Sequence, residues 1–154
     1  CLLRALEDSR FDLVILDCAP SVDVLHTAAL VASDFLIVPV KPDAFAIKGI
    51  VEIDRTLKSI RRATRTNCEL AGVLPTFVDW STNETRTQLT TLARELGPLV
   101  WGVIPTDTKC RESNREGKTL WELSPTPRAL AGVNDCGNII GGYKAALSRL
   151  EVLA

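Results

Sequence analysis

FDLVILDCAPS, residues 11–21, opens with an almost unbroken apolar run, 11–16, and closes with Asp17 and a turn through Ala19, Pro20 and Ser21. A strand open to water on one face alternates apolar and polar side chains, and a strand covered on both faces does not. The run therefore predicts a buried strand of a parallel sheet. Runs 35–40, 70–74 and 99–104 have the same character. Between them the apolar positions recur at helical spacing: Ile50, Ile53, Leu57 and Ile60 make one stripe, and Leu89, Leu92, Ala93 and Leu96 another. Ser81 and Glu84 are spaced as a capping box for the second of these helices, and Gly97 and Pro98 supply its stop. Tyr143, Ala146, Leu147 and Leu150 predict a last amphipathic helix. Strands alternating with helices are joined by right-handed crossovers, so the expected fold class is α/β, a parallel doubly wound sheet, with residues 1–154 in one domain. Residues 124–142, rich in Pro, Gly and Asn, are expected to run as loop with short helical turns.

Composition narrows the functional classes. The chain has 154 residues, 46% hydrophobic and 24% charged, which excludes disorder and low-complexity architecture. No apolar run approaches the ~18 residues that predict a membrane span. Eighteen Lys and Arg against nineteen Asp and Glu leave a formal charge of −1, so any nucleic-acid surface has to be a local patch. Five cysteines without a C-x-x-C pair and a single histidine, His26, argue against a zinc site or a disulfide framework and for a reducing cytoplasm. Methionine is absent, residue 1 is Cys1, and Leu2, Leu3 and Leu6 sit at helical spacing. The sequence is accordingly expected to be part of a longer protein, cut inside a helix.

Asp17 is the residue with the clearest chemical potential. Open α/β sheets bind ligands at the carboxyl ends of their strands, and a carboxylate there suits Mg²⁺ beside a nucleotide phosphate. It equally suits the N-terminus of the helix that follows. A phosphoacceptor reading fails because Asp17 and Lys41 are one strand-helix unit apart where that chemistry needs two. Two apparent phosphate loops also fail: Glu112 stands where the first glycine before Gly117-Lys118-Thr119 must be, and Tyr143 stands where Gly137 to Gly142 needs lysine. His26 has no nucleophile at recognisable spacing, and Cys18 has no basic partner in sequence. Trp80, Trp101 and Trp121 are too dispersed for a stacking platform and are expected to pack.

Taken together, FDLVILDCAPS, ALVASDFLIVPVKPDAFAIKGI, CELAGVLPTFVD and VIPTDTKCRESNREGK resemble, in that order, segments of the ParA/MinD group of deviant-Walker P-loop ATPases, most closely the ParA-type partition proteins. The resemblance implies the C-terminal portion of such a domain, without its phosphate loop. It implies a parent that binds ATP and Mg²⁺, dimerises around them, binds DNA nonspecifically, and hydrolyses ATP when a ParB-type or other cargo adaptor stimulates it on the nucleoid of a bacterium. By position, Asp17 falls on the family's Mg²⁺ and water carboxylate and Pro20 and Ser21 on its switch, making these three the catalytic candidates. Thr76, Pro105, Thr106 and Asp107 fall at strand ends that approach the adenine, and Lys109 on a basic position credited with DNA contact. Ser81 and Thr106 depart from the family by standing where arginines are usual.

The residues themselves offer two basic clusters. Lys58, Arg61, Arg62 and Arg65 are spaced along one helix face, and Lys109, Arg111, Arg115 and Lys118 crowd a predicted loop. Either could contact phosphates; a solvated face is the alternative. Arg61, Arg62, Lys109, Arg111 and Lys118 are the DNA-contact candidates. The alternatives to a partition ATPase are a non-hydrolysing adaptor that lacks the nucleotide site, and a cargo-positioning or division-site ATPase of the MinD-like branch.

Overall fold

The computed structural model describes residues 2, 10–19, 23–124, 126–135 and 138–153. In chain order they form α1 (Val24–Ala32), β1 (Phe35–Val40), α2 (Ala46–Thr64), β2 (Glu69–Pro75), α3 (Asn83–Leu96) and a 3₁₀ turn (Gly97–Leu99). There follow α4 (Thr108–Glu116), α5 (Leu120–Leu123), α6 (Arg128–Ala131), β3 (Val133–Asp135), β4 (Asn138–Ile140) and α7 (Gly142–Leu153). Described residues within Cys1–Ile37 and Lys48–Ala71 make one compact unit, and those within Val38–Ile47 and Gly72–Leu153 make a second.

In the first unit α1 begins at Asp23, whose carboxylate accepts the His26 N–H at 2.9 Å. Leu30, Leu57 and Cys68 form the core, with Leu36, Ile60 and Leu70 packed against them. Ile50 and Leu57 of the α2 stripe are 2% exposed, as its period requires, whereas Ile53 on the shoulder of the stripe remains 37% exposed.

Run 11–16 departs from expectation. It is not a strand, and Phe11 and Ile15 are 72% and 70% exposed. A strand persists only where neighbouring backbone takes up its N–H and C=O groups, and among the described residues none is paired with this run. Asp17 is exposed at the end of an irregular segment rather than at a strand end. Pro20 and Ser21 lie outside the described residues, as does most of the helix expected at the start of the chain.

β1 and β2 pair with each other. The Asp34 carbonyl accepts from the Glu69 N–H at 3.0 Å and the Val40 carbonyl from the Thr76 N–H at 2.8 Å, so the partners advance together and the strands are parallel. In the second unit Trp101, 6% exposed, lies against β2 where Gly72 leaves room; a Cβ there would collide with the indole. Run 99–104 follows β2 through one isolated parallel bridge, Val73 with Val100, and through the Trp101 and Ile104 N–H groups, which donate to the Val73 and Pro75 carbonyls at 3.0 and 2.7 Å; just beyond them Val78 and Pro105 form a second bridge. The run is interrupted at Gly102, whose φ of +110° breaks its extended conformation and turns it toward the backbone at Gly141. A Cβ on Gly102 would stand 2.8 Å from the Gly141 Cα, and the Gly142 N–H donates to the Val103 carbonyl at 2.7 Å.

Val78, Leu89 and Val103, with Trp80 against them, form a core cluster of this unit. Helix α3 is capped by Thr82, which accepts from the Thr85 N–H, one residue later than the Ser81 that spacing predicted. The capping box lies instead at Thr119 and Glu122, at the start of α5. Residues 124–142 are not loop throughout: β3 and β4 pair antiparallel, Val133 opposite Ile140. The class is α/β with parallel strands; the described residues do not extend it to a doubly wound sheet.

Candidate functional site

At the carboxyl ends of β1 and β2 the second unit has an open cleft of about 560 Å³. Lys41, Pro42 and Asp43, which leave β1, line one part; Phe77 and Asp79, which leave β2, line another; Thr82, Glu84 and Thr85 at the start of α3 and Thr106 complete it. This is where parallel α/β sheets place ligands, because backbone groups beyond the last ladder bond are free to turn outward. Phe77 has φ +54° and is 72% exposed. An aromatic residue in the left-handed region carries backbone strain of about 1–3 kcal/mol, and the Val78 and Thr76 N–H groups on either side, bonded to Ile104 and Val40, hold it there.

The charged part of the lining is mainly acidic, with Asp43, Asp79 and Glu84 against Lys41. The Asp79 carboxylate accepts the Ser81 hydroxyl at 2.7 Å and the Ser81 N–H at 2.9 Å, and these bonds hold its pKa below the ordinary aspartate value. Asp43 accepts the Phe45 N–H at 2.9 Å. Asp79 was not among the expected site residues; its place just beyond the apolar run 70–74 is the signal for it in the sequence.

Of the four residues expected near a base, Thr106 lines the cleft. Pro105 is buried and bridged to Val78, and the Thr76 hydroxyl faces the Val40 carbonyl at 3.5 Å. Asp107 is held by backbone on both oxygens: one accepts the Lys109 N–H at 2.9 Å and the other the Ala129 N–H at 3.1 Å. Partial burial pushes its pKa upward, but these bonds, the Arg128 N–H and the Arg128 guanidinium outweigh that and leave it lowered.

The basic cluster expected in a loop is the helix α4, which Asp107 caps and Gly117 ends in the left-handed conformation. Lys109 pairs with Glu112 at 2.5 Å and Lys118 with Glu116 at 2.9 Å, which raises both lysine pKa values. Arg111 and Arg115, one turn apart and exposed, make no ion pair among the described residues. In the first unit Lys58 pairs with Asp54 at 2.6 Å and Arg61 with Glu69 at 3.6 Å. Arg62 is exposed, and Arg65, with φ +59°, lies past the end of α2 and leaves the predicted face. Trp121 is 51% exposed and does not pack as expected.

Mg²⁺ and a nucleotide place different demands on these residues. Mg²⁺ bound beside phosphates needs only one or two protein carboxylates, and Asp17, exposed and without a hydrogen bond to another described residue, meets that donor requirement. The described residues hold no cluster of three or more metal-ligating side chains. The cleft offers a base edge polar partners at Thr106 and Asp79, but three carboxylates against one lysine do not suit a triphosphate.

Residues 2–70 match the family model described as an AAA domain. The chromosome-partitioning ATPase Soj of Thermus thermophilus is 33% identical over 126 residues, 81% of this chain and 51% of that protein. The chain is related to the ParA-type partition ATPases. Two further relatives agree: the sporulation initiation inhibitor protein Soj of Bacillus subtilis, 30% identical over 82% of this chain and 51% of its own length, and the chromosome partitioning protein ParA of Caulobacter vibrioides, 29% identical over 77% and 46%. The chain spans about half the length of the curated ParA-type relatives it matches. Among its described residues no helix is long and apolar enough to cross a membrane.

Proposed function

We propose that this chain is the carboxyl-terminal portion of a ParA-type ATPase whose complete form binds ATP and Mg²⁺ and dimerises in that state. That form binds DNA nonspecifically and drives plasmid or chromosome partition in the cytoplasm, on the nucleoid, through hydrolysis stimulated by a ParB-type or other adaptor. The observation that carries this reading is the 33% identity, over four fifths of the chain, to a chromosome-partitioning ATPase. The cleft at the strand ends supports it by offering Thr106 and Asp79 to a base, and Arg111 and Arg115 of α4, exposed and without an ion pair among the described residues, support it by offering charge to phosphates.

In this reading Asp17 holds the metal, through water, and Pro20 and Ser21 belong to the segment that responds to it. Mg²⁺ supplies charge neutralisation at the phosphates. The base-side residues orient the nucleotide, and Thr76 and Pro105 keep the Thr106 wall in place. Phosphate release by the complete protein with Mg-ATP, with and without DNA and adaptor, tests the proposal. Turnover that DNA and adaptor raise is the expected result. A complete protein with no turnover, but with DNA and adaptor binding intact, would instead make it a non-hydrolysing adaptor.

A further inference from the structure

Thr106 and Asp107 are consecutive but do different work. The Thr106 side forms cleft wall, and its N–H donates to the Val78 carbonyl at 3.0 Å, beside Asp79 of the same cleft. Asp107 is not part of that lining, and its two carboxylate oxygens join the first turn of α4 to Ala129 of α6, which lies 22 residues along the chain from Asp107. α6 in turn packs against α7, and Ala129 and Leu130 of α6 are completely buried. One wall of the cleft is thus tied to the C-terminal helices through this side chain, in addition to the bond from the Gly142 N–H to the Val103 carbonyl.

We propose that Asp107 is a positioning residue: it fixes Thr106 against the cleft by clasping α4 to α6, and it sets affinity for a bound nucleotide without touching it. The inference deepens the function proposed above and rests on it for the identity of the occupant. A carboxylate is required because N–H donors from two helices, Lys109 of α4 and Ala129 with Arg128 of α6, need both oxygens as acceptors. Asparagine has one acceptor oxygen, while its amide nitrogen only donates. Asparagine is also as good a helix cap as aspartate, so Asp107→Asn retains the bond to α4 and loses the one to α6.

The test has two readouts on the complete protein. Amide hydrogen exchange in Asp107→Asn should accelerate at Ala129 by about tenfold, the loss of one charge-assisted hydrogen bond, while the first turn of α4 stays within about twofold of the parent. Steady-state kinetics with Mg-ATP should show a KM raised several-fold and a kcat essentially unchanged, a split that general destabilisation does not produce. Asp107→Ala, which loses both bonds, should accelerate exchange in α4 as well. Unchanged protection at Ala129 in Asp107→Asn would overturn the clasp. Lost protection with an unchanged KM would overturn the positioning role. If the parent itself turns over no ATP, the nucleotide reading and the positioning role fall together, and hydrogen exchange still decides the clasp.

Discussion

Asp17 and Asp107 are both aspartates placed by motif at a nucleotide site, and their surroundings separate them. Asp17 is exposed, so in the complete protein Asp17→Ala should abolish Mg-dependent hydrolysis while leaving the circular dichroism spectrum and Tm unchanged; turnover within a few-fold of the parent would remove the assignment. Asp107 is instead part of the framework, and its lowered pKa makes that contribution pH-dependent. A group whose pKa falls on folding stabilises the folded chain above its unfolded value, ~3.9, and loses that contribution as pH falls through the folded value. Lys109 and Cys110 on α4 and Arg128 on α6 are the charged or titratable groups around it. Melting temperatures between about pH 2 and 6 should therefore fall more steeply for the parent than for Asp107→Asn.

Among the elements, α3 and α4 show how local rules and tertiary contacts share control. The apolar period of α3 was readable, and Leu89 and Leu92 are buried as it required. Its cap shifted to Thr82 because Asp79 draws in the Ser81 N–H and hydroxyl. Thr82→Ala should accordingly cost ~1 kcal/mol in urea denaturation, and Ser81→Ala distinctly less. Residues 109–118 carry no apolar stripe to announce a helix, and α4 forms because Asp107 caps one end and Gly117 stops the other. With Lys109 paired to Glu112, the α4 charge without an ion pair among the described residues lies on Arg111 and Arg115. Replacing both by Ala in the complete protein should weaken DNA binding at every sequence and reduce the salt slope by up to ~2, more than Lys109→Ala does. Equal affinities across a salt titration would move the contact away from this helix.

For the whole molecule, the distribution of apolar surface matters most. Phe11, Ile15, Val24 and Leu25 of the first unit are each at least 70% exposed, and β1 has a ladder partner on one side only among the described residues. Open strand edges beside exposed apolar side chains promote self-association. The 154-residue chain by itself should bind a hydrophobic dye and sediment in a concentration-dependent way, and Ile15→Lys should reduce both; a monodisperse chain that binds no dye would contradict this. The same chain should neither hydrolyse Mg-ATP nor bind it tightly. Calorimetry and phosphate release check this, because the cleft holds one lysine among three carboxylates and the sequence has no phosphate loop.

The sequence by itself determined the elements whose stability is local or one-faced: the stripes that bury Leu57 and Leu92, the stop at Gly97, and the apolar runs that became β1 and β2. It also carried the resemblance to the ParA-type ATPases, through the order of its segments. Tertiary structure alone decided the rest, because the remaining choices depend on partners distant in the chain. Run 11–16 has the composition of a strand and no ladder neighbour among the described residues, so it is not one. Run 99–104 bends at Gly102 because the backbone at Gly141 comes within reach. Asp107, the same residue type as Asp17 and equally close to a motif, became a clasp because folding brought the Ala129 N–H to its second oxygen. Periodicity records which face of an element is apolar; it holds no information about which backbone group from another segment will arrive beside a given side chain.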